Sequence, residues 1–335
     1  MRVGAVGCGY WGPNVIRNLA EMPEFELRHI CDADVDRLRP VSQRYPGPRA
    51  TTRVQDILED ASVDAIYLAT PVSTHYALVR QSLLAGKHVL VEKPLATTAA
   101  QAEELAALAV HCRRTLMVGH TFVFSPPVRK IKELIDAAHI GPIYYVQTNR
   151  VNLGLFQKDV SVLWDLGPHD VSILIYWLDE VPSTVAARGR SFHGEALEDV
   201  VFLTLEFPSG ILAQLQMSWL APSKLRRTTI VGRQRMVVYD DLEPIEKVKV
   251  YDRGVDRQPV SYGEYQLTYR SGDILSPRLD TTEPLRLECE HFVACVRDGR
   301  EPETGPRQAV DVVRVIQAAE RSLRAGGGPQ SVATR

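Results

Sequence analysis

Nothing in the chain approaches the roughly 18 consecutive apolar residues of a membrane-spanning helix, so no span is expected. Charge of one sign is also missing. Thirty-nine Lys and Arg against 41 Asp and Glu leave a net charge of −2, which offers no basic surface for nucleic acid or anionic lipid. Cysteine is sparse. Cys8, Cys31, Cys112, Cys289 and Cys295 form no Cys-x-x-Cys pair, which argues against a disulfide framework and a structural zinc site. No metal-ligand cluster, acyl-transfer triad, internal repeat or low-complexity block is present, and no metal is expected. Met1-Arg2-Val3-Gly4-Ala5-Val6 enters a strand-like run at once, so no signal peptide is expected. These absences fit a cytoplasmic enzyme with free thiols.

At roughly 150 residues per domain, 335 residues suggest two domains. Apolar runs at Val3–Val6, Phe25–Cys31, Ala65–Ala69, His88–Val91 and Leu116–Val118 alternate with helical stretches at Asn14–Ala20, Asp34–Arg44, His75–Ala85 and Ala99–His111. Alternation of buried strands with helices predicts an α/β domain over residues 1–120, a doubly wound parallel sheet. After Ser125-Pro126-Pro127 the pattern changes. A helix at Val128–Ala138 precedes extended segments at Ile143–Val151, Thr184–Arg188, Val200–Phe207, Ile211–Trp219, Thr228–Val231 and Met236–Tyr239, with Pro208-Ser209-Gly210 as a turn. Residues 121–335 therefore read as an α+β domain with an open, largely antiparallel sheet. Helices at Leu285–Arg297 and Gln308–Arg324 close the chain, and Gly326-Gly327-Gly328 starts a tail expected to be mobile.

Gly7-Cys8-Gly9-Tyr10-Trp11-Gly12 is a G-x-G-x-x-G between the first strand and the first helix. The glycines permit a tight turn, close approach of a pyrophosphate, and close helix–strand packing, while the helix N-terminus supplies free N–H groups. Asp32 ends the second apolar run 20 residues after Gly12, the offset at which a carboxylate meets the adenosine ribose hydroxyls. Asp34 lies nearby, no arginine immediately follows, and Arg37, the nearest base, is expected a turn into the next helix. A Rossmann domain binding NAD rather than NADP is predicted, with Tyr10 and Trp11 in the cofactor loop.

Val89-Leu90-Val91-Glu92-Lys93-Pro94 ends a strand on a charged pair and a proline. Carboxyl ends of parallel strands face the ligand crevice, so Lys93 is expected where the nicotinamide lies. Together, Gly7–Gly12, Ala69-Thr70-Pro71 with His75, and Glu92-Lys93-Pro94 resemble the glucose–fructose oxidoreductase/inositol dehydrogenase/rhizopine-catabolism (Gfo/Idh/MocA) family, over about residues 2–325. The resemblance implies that Lys93 helps bind the reacting hydroxyl and that Thr70, Pro71, His75 and Glu92 lie along the cofactor.

Trp164-Asp165-Leu166-Gly167-Pro168-His169-Asp170 matches that family's Asp-x-x-x-His element, which implies that Asp165 and His169 act with Lys93 at the substrate. Read from the residues alone, Pro168 suits a helix's first turn, which would place His169 where the dipole favours a neutral base. Asp165 could instead cap that helix. The Tyr10-Trp11 loop, Asn149–Gly154 and Asp165–Asp170 resemble members that oxidise nucleotide-linked amino sugars at C3, with Arg150 and Asn152 as candidate substrate contacts. The polar stretch Asp241–Glu283, with Tyr262, Tyr265 and Tyr269, could cover an extended ligand or form an oligomer contact. The basic stretch Lys224–Arg235 reads as a solvated face.

The expected activity is NAD-dependent alcohol–ketone interconversion on a sugar, at C3 of a UDP-N-acetylglucosamine-type hexose. In it His169 takes the hydroxyl proton, Lys93 holds the same oxygen, and Asp165 orients sugar or base. The alternatives are a cyclitol or free or phosphorylated sugar dehydrogenase, or a non-catalytic NAD-binding regulator. A homodimer or homotetramer through the second domain's sheet is also expected.

Overall fold

The computed structural model describes all residues except 155, 157–159, 194–196, 262–263 and 333–335; the side chains of 256–261 and 264–266 are likewise not described. It divides into two compact units. The first comprises residues 1–125 and 282–314, the second 126–281 and 315–335.

The first unit opens β1 (Arg2–Val6), α1 (Gly12–Glu21), β2 (Glu26–Cys31), α2 (Val35–Arg44), β3 (Arg49–Thr51), α3 (Gln55–Leu58) and β4 (Ala65–Leu68). It continues through α4 (Val72–Leu84), β5 (His88–Glu92), α5 (Ala99–Cys112), β6 (Leu116–Gly119) and a short 3-10 turn at Thr121–Phe124. All six strands pair in parallel, in the order β3-β2-β1-β4-β5-β6. Strands β1, β4 and β6 are buried along almost their whole length, which is why they read as unbroken apolar runs: helices cover both sheet faces. The order reverses between β1 and β4, so their carboxyl ends flank a crevice.

The second unit holds α6 (Pro126–Asp136), β7 (Ile143–Leu153), α7 (Val162–Leu178), β8 (Thr184–Arg190), β9 (Val200–Glu206), β10 (Leu212–Ser218), β11 (Leu220–Gly232), β12 (Met236–Asp240), β13 (Val248–Ser261) and β14 (Glu264–Leu275). Helix α8 (Pro284–Asp298) belongs to the first unit, α9 (Pro306–Arg324) is divided between the two at Arg314, and β15 (Gln330–Ser331) belongs to the second. Nine strands form one sheet in the order β14-β13-β12-β11-β7-β10-β9-β8-β15; β7 and β10 pair in parallel and the others antiparallel. Strict alternation in β9, with Val201, Leu203 and Leu205 buried and Phe202, Thr204 and Glu206 exposed, marks one face as core and the other as open. Helix α7 covers the core face. It packs so closely that a Cβ on Gly167 would lie 2.8 Å from Ile316 Cδ1 and 3.4 Å from Met217 Sδ.

The structure departs from expectation in four places. The units are not separated by one cut near residue 120, because α8 packs on α1 and on the 3-10 turn of the first unit. Helix α7 starts at Val162, so Pro168 is an interior residue and not part of the first turn. An interior proline forfeits one backbone hydrogen bond; burial of Val162, Leu163, Trp164 and Gly167 in the preceding turns outweighs that loss. Much of Asp241–Glu283 is the β13–β14 hairpin, which lengthens the sheet; Tyr269 is exposed on it, and Tyr262 lies outside the described residues. The tail from Gly326 to Val332 is tied down: Ser322 Oγ donates to Gly328 O at 2.7 Å, β15 pairs with β8, and Val332 is buried.

Candidate functional site

The glycine loop leaves β1 through Gly7, whose φ of +103° suits only glycine. A Cβ there would strike the carbonyl oxygen of Ala69, and one at Gly12 would strike the carbonyl of Gly7. The first clash keeps the loop against the end of β4; the second sets α1 directly on the loop. Helix α1 has neither a side-chain cap nor an acidic residue in its first turn, which leaves its N-terminal N–H groups to a phosphate. Asp32, only 9% exposed, spans the loop: Oδ2 accepts from the Cys8 N–H at 2.6 Å and Oδ1 from the Asp34 N–H at 2.8 Å. Its carboxylate is thus fixed at the end of β2. These residues fit a dinucleotide, with phosphates at the glycines and ribose at Asp32.

Tyr10 is 86% exposed and Trp11 37%, with the Trp11 indole N–H bonded to the Glu92 carboxyl. Arg37, exposed on α2, ion-pairs Asp34 at 3.4 Å, and its guanidinium comes to 3.9 Å from where a Gly9 Cβ would stand. It lies in the first turn of α2, as expected, and beside the loop. Cys8 and Cys31 are inert here: burial pushes their thiols up to about 12 and about 11.

Lys93 follows directly on β5, and its peptide bond to Pro94 is cis. His75 is buried beneath it, with Nδ1 2.8 Å from Pro94 O and Nε2 2.8 Å from Thr70 O. It bridges the ends of β4 and β5, and both ring nitrogens are engaged by backbone. Thr70 and Pro71 are more open; Thr70 Oγ1 accepts from Thr74 at 2.8 Å and Pro71 caps α4. His120, fully buried just beyond β6, is a neutral imidazole. Burial, reinforced by the Lys93 charge, pulls it down to about 3. Sequence reading missed His120, although it follows a strand's carboxyl end as Lys93 does. It also missed Glu288, a carboxyl on the apolar stripe of Leu285, Cys289 and Phe292.

In the second unit Asp165 and His169 stand one turn apart on α7, on one face of the helix. Asp165 lies in the first turn of α7 but is not its N-cap, which is Ser161; Oδ2 accepts from the Trp219 indole at 3.2 Å. His169 is the eighth residue of α7, too deep for the dipole argument, which fades within the first turn. Arg150 is buried against Asp170 of the same helix, Nη2 to Oδ1 at 2.7 Å and Nε to Oδ1 at 2.9 Å, with Thr148 Oγ1 donating to Oδ2 at 3.2 Å. This pair locks β7 to α7. Asn152 sits two residues on, inside β7, and is half-buried. No described helix is long and apolar enough to cross a membrane, and no metal-binding group of His, Cys, Asp and Glu occurs among the described residues.

Comparison with known proteins agrees with this geometry. A sequence model described as the GFO/IDH/MocA "oxidoreductase family, NAD-binding Rossmann fold" matches residues 1–120, and the GFO/IDH/MocA C-terminal domain matches residues 128–238. The chain is 26% identical to scyllo-inositol 2-dehydrogenase (NAD(+)) of Bacillus subtilis, over 97% of this chain and 95% of that one. It is 27% identical to UDP-N-acetylglucosamine 3-dehydrogenase of Acidithiobacillus ferrooxidans, over 77% and 79%. The crystal structure of GenD2 from gentamicin A biosynthesis in complex with NAD superposes with a TM-score of 0.84 at 26% identity, covering 100% of this chain and 97% of that one.

Proposed function

The chain belongs to the Gfo/Idh/MocA oxidoreductase family and is an NAD-dependent dehydrogenase, and from that premise we propose that its substrate is a nucleotide-linked hexose oxidised at C3. The observation that carries this reading is the Asp165-x-x-x-His169 face of α7, in a segment that resembles the amino-sugar subgroup, together with similarity to a UDP-N-acetylglucosamine 3-dehydrogenase. Bound nicotinamide supplies the hydride acceptor. His169 takes the hydroxyl proton, and Lys93 donates to the same oxygen and stabilises its developing charge. Asp165, held by the Trp219 indole, orients the sugar. Arg150 is committed to Asp170, so Asn152 is the better candidate of the two for a polar substrate contact. A nucleotide handle provides remote binding energy for placing the C3–H bond.

The cyclitol reading draws support from the inositol dehydrogenase relatives. One panel separates the two: UDP-N-acetylglucosamine, its uronic acid, dTDP-glucose, glucose 6-phosphate and myo-inositol with NAD, following NADH. Turnover of the UDP sugars and competition by UDP alone are expected. Turnover of inositol with no nucleotide-sugar activity would overturn the proposal.

Assembly through the open sheet face is part of the same reading. Tyr145 lies opposite Leu212 in register, and Phe202 is exposed on the neighbouring β9, which puts large apolar groups on an exposed surface. A homodimer or homotetramer would cover them. The five thiols suit a cytoplasmic enzyme.

A further inference from the structure

Two carboxyl groups meet behind Lys93. A carbon at the Cβ position of Gly119, the last residue of β6, would lie 3.1 Å from Glu92 Oε1 and 3.2 Å from Glu288 Oε1. The two acids, from the end of β5 and from α8, therefore share the space that a side chain there would fill. They are unequally supplied with donors. Glu92 receives the Tyr67 hydroxyl, the Trp11 indole and the Lys93 backbone N–H, and has the Lys93 ammonium nearby. Glu288 is fully buried; Thr121 Oγ1 bonds its Oε2 at 2.6 Å, and Oε1 has no hydrogen-bond partner. A buried carboxylate with one donor, beside a second carboxylate, is far costlier than the neutral acid.

We infer that Glu288 is a positioning residue for this enzyme: as a neutral acid bonded to Thr121 it can pack beside Glu92 without repulsion, which keeps the Glu92-Lys93 turn and the His120-Thr121 segment in one arrangement. Ionisation sets two like charges against each other and loosens both segments. The groups facing Glu288 are Glu92 from β5, Tyr67 from β4, Thr121 from the 3-10 turn and Cys289 from its own helix. Burial and the neighbouring Glu92 charge both push the Glu288 carboxyl upward, and burial does the same to Tyr67 and Cys289. The proton belongs to the pair and rests on the member with fewer donors. The inference concerns the first unit alone and holds whichever sugar or cyclitol is the substrate.

The test needs no substrate. Melting temperatures of the full chain are measured from pH 4 to 9, with and without NAD, for wild type, Glu288→Gln and, as a surface control, Glu290→Gln. A carboxyl whose folded pKa exceeds its unfolded value of about 4.3 contributes stability that is fully present below 4.3 and lost as pH rises toward the folded pKa. Gln carries no such dependence. Wild type should therefore fall relative to Glu288→Gln as pH rises, by about 2 °C per pH unit in that window, while Glu290→Gln tracks wild type. Infrared spectra of wild type at pH 7.5 should show a protonated-carboxyl band that Glu288→Gln lacks. Glu288→Ala should weaken NAD binding throughout, and Gln should restore it. Parallel melting curves for wild type and Glu288→Gln would overturn the inference. So would a wild-type spectrum without the band, a measurement that stands even if the variants fail to fold.

Discussion

Replacement of Asp32 by Ser is the sharpest check on how the chain selects its dinucleotide. The carboxylate accepts from the N–H groups of Cys8 and Asp34 at 2.6 and 2.8 Å, which fixes its position at the end of β2. Hydrogen bonds to a charged group contribute about 1.5–3 kcal/mol each. Losing two ribose hydroxyl contacts therefore costs about 3 kcal/mol, or a roughly 100-fold weaker Kd for NAD. For NADP the sign reverses. A 2′-phosphate about 4 Å from a carboxylate is repelled by about 4 kcal/mol per pair of unit charges at an effective dielectric of 20. Only part of that is recovered in the variant, because Asp34 remains; Arg37, 3.4 Å from Asp34 and beside Gly9, offsets it. The NAD-to-NADP preference should shift by about 10³-fold or more, the sum of the two effects. Calorimetric titration of both dinucleotides into wild type and Asp32→Ser gives all four constants. Wild type that binds NADP more tightly than NAD, or a variant whose preference is unmoved, would refute the reasoning.

Lys93→Met and His169→Asn should each lower kcat by about 100-fold or more with NAD affinity within a few-fold of wild type, and His169→Asn should flatten the pH–rate profile; a variant with near wild-type turnover removes that residue from the mechanism. Asp170→Asn leaves the Arg150 guanidinium buried without its charged partner and should destabilise by about 3–5 kcal/mol in urea melts, most of it recovered in the Arg150→Met/Asp170→Asn double variant. An Asp170→Asn variant of unchanged stability would contradict the buried-pair reading.

What was legible in the sequence was local. The parallel sheet showed because strands buried on both faces must be apolar throughout, and the glycine loop because Gly7 needs a conformation that only glycine tolerates, as its φ of +103° bears out. The acid of β2 and the Glu92-Lys93-Pro94 turn followed from their places at strand ends. The errors came where distant packing overruled a local preference. Pro168 reads as a helix start, yet Val162, Leu163, Trp164 and Gly167 are buried strongly enough to carry α7 through it. Arg150 reads as a free cation at the end of a strand, yet Asp170, 20 residues on, takes its guanidinium.

By itself the sequence determined the two sheet types and the glycine loop between β1 and α1, since each depends on side-chain periodicity or on backbone freedom within a few positions. Only the tertiary structure decided which charges are spent inside the fold. It returned α8 to the first unit, buried Glu288 beside Glu92 at Gly119, turned both ring nitrogens of His75 onto backbone carbonyls, and set a neutral His120 near Lys93. Desolvation and pairing of polar groups depend on neighbours up to 200 residues away in the chain, and no local pattern encodes them.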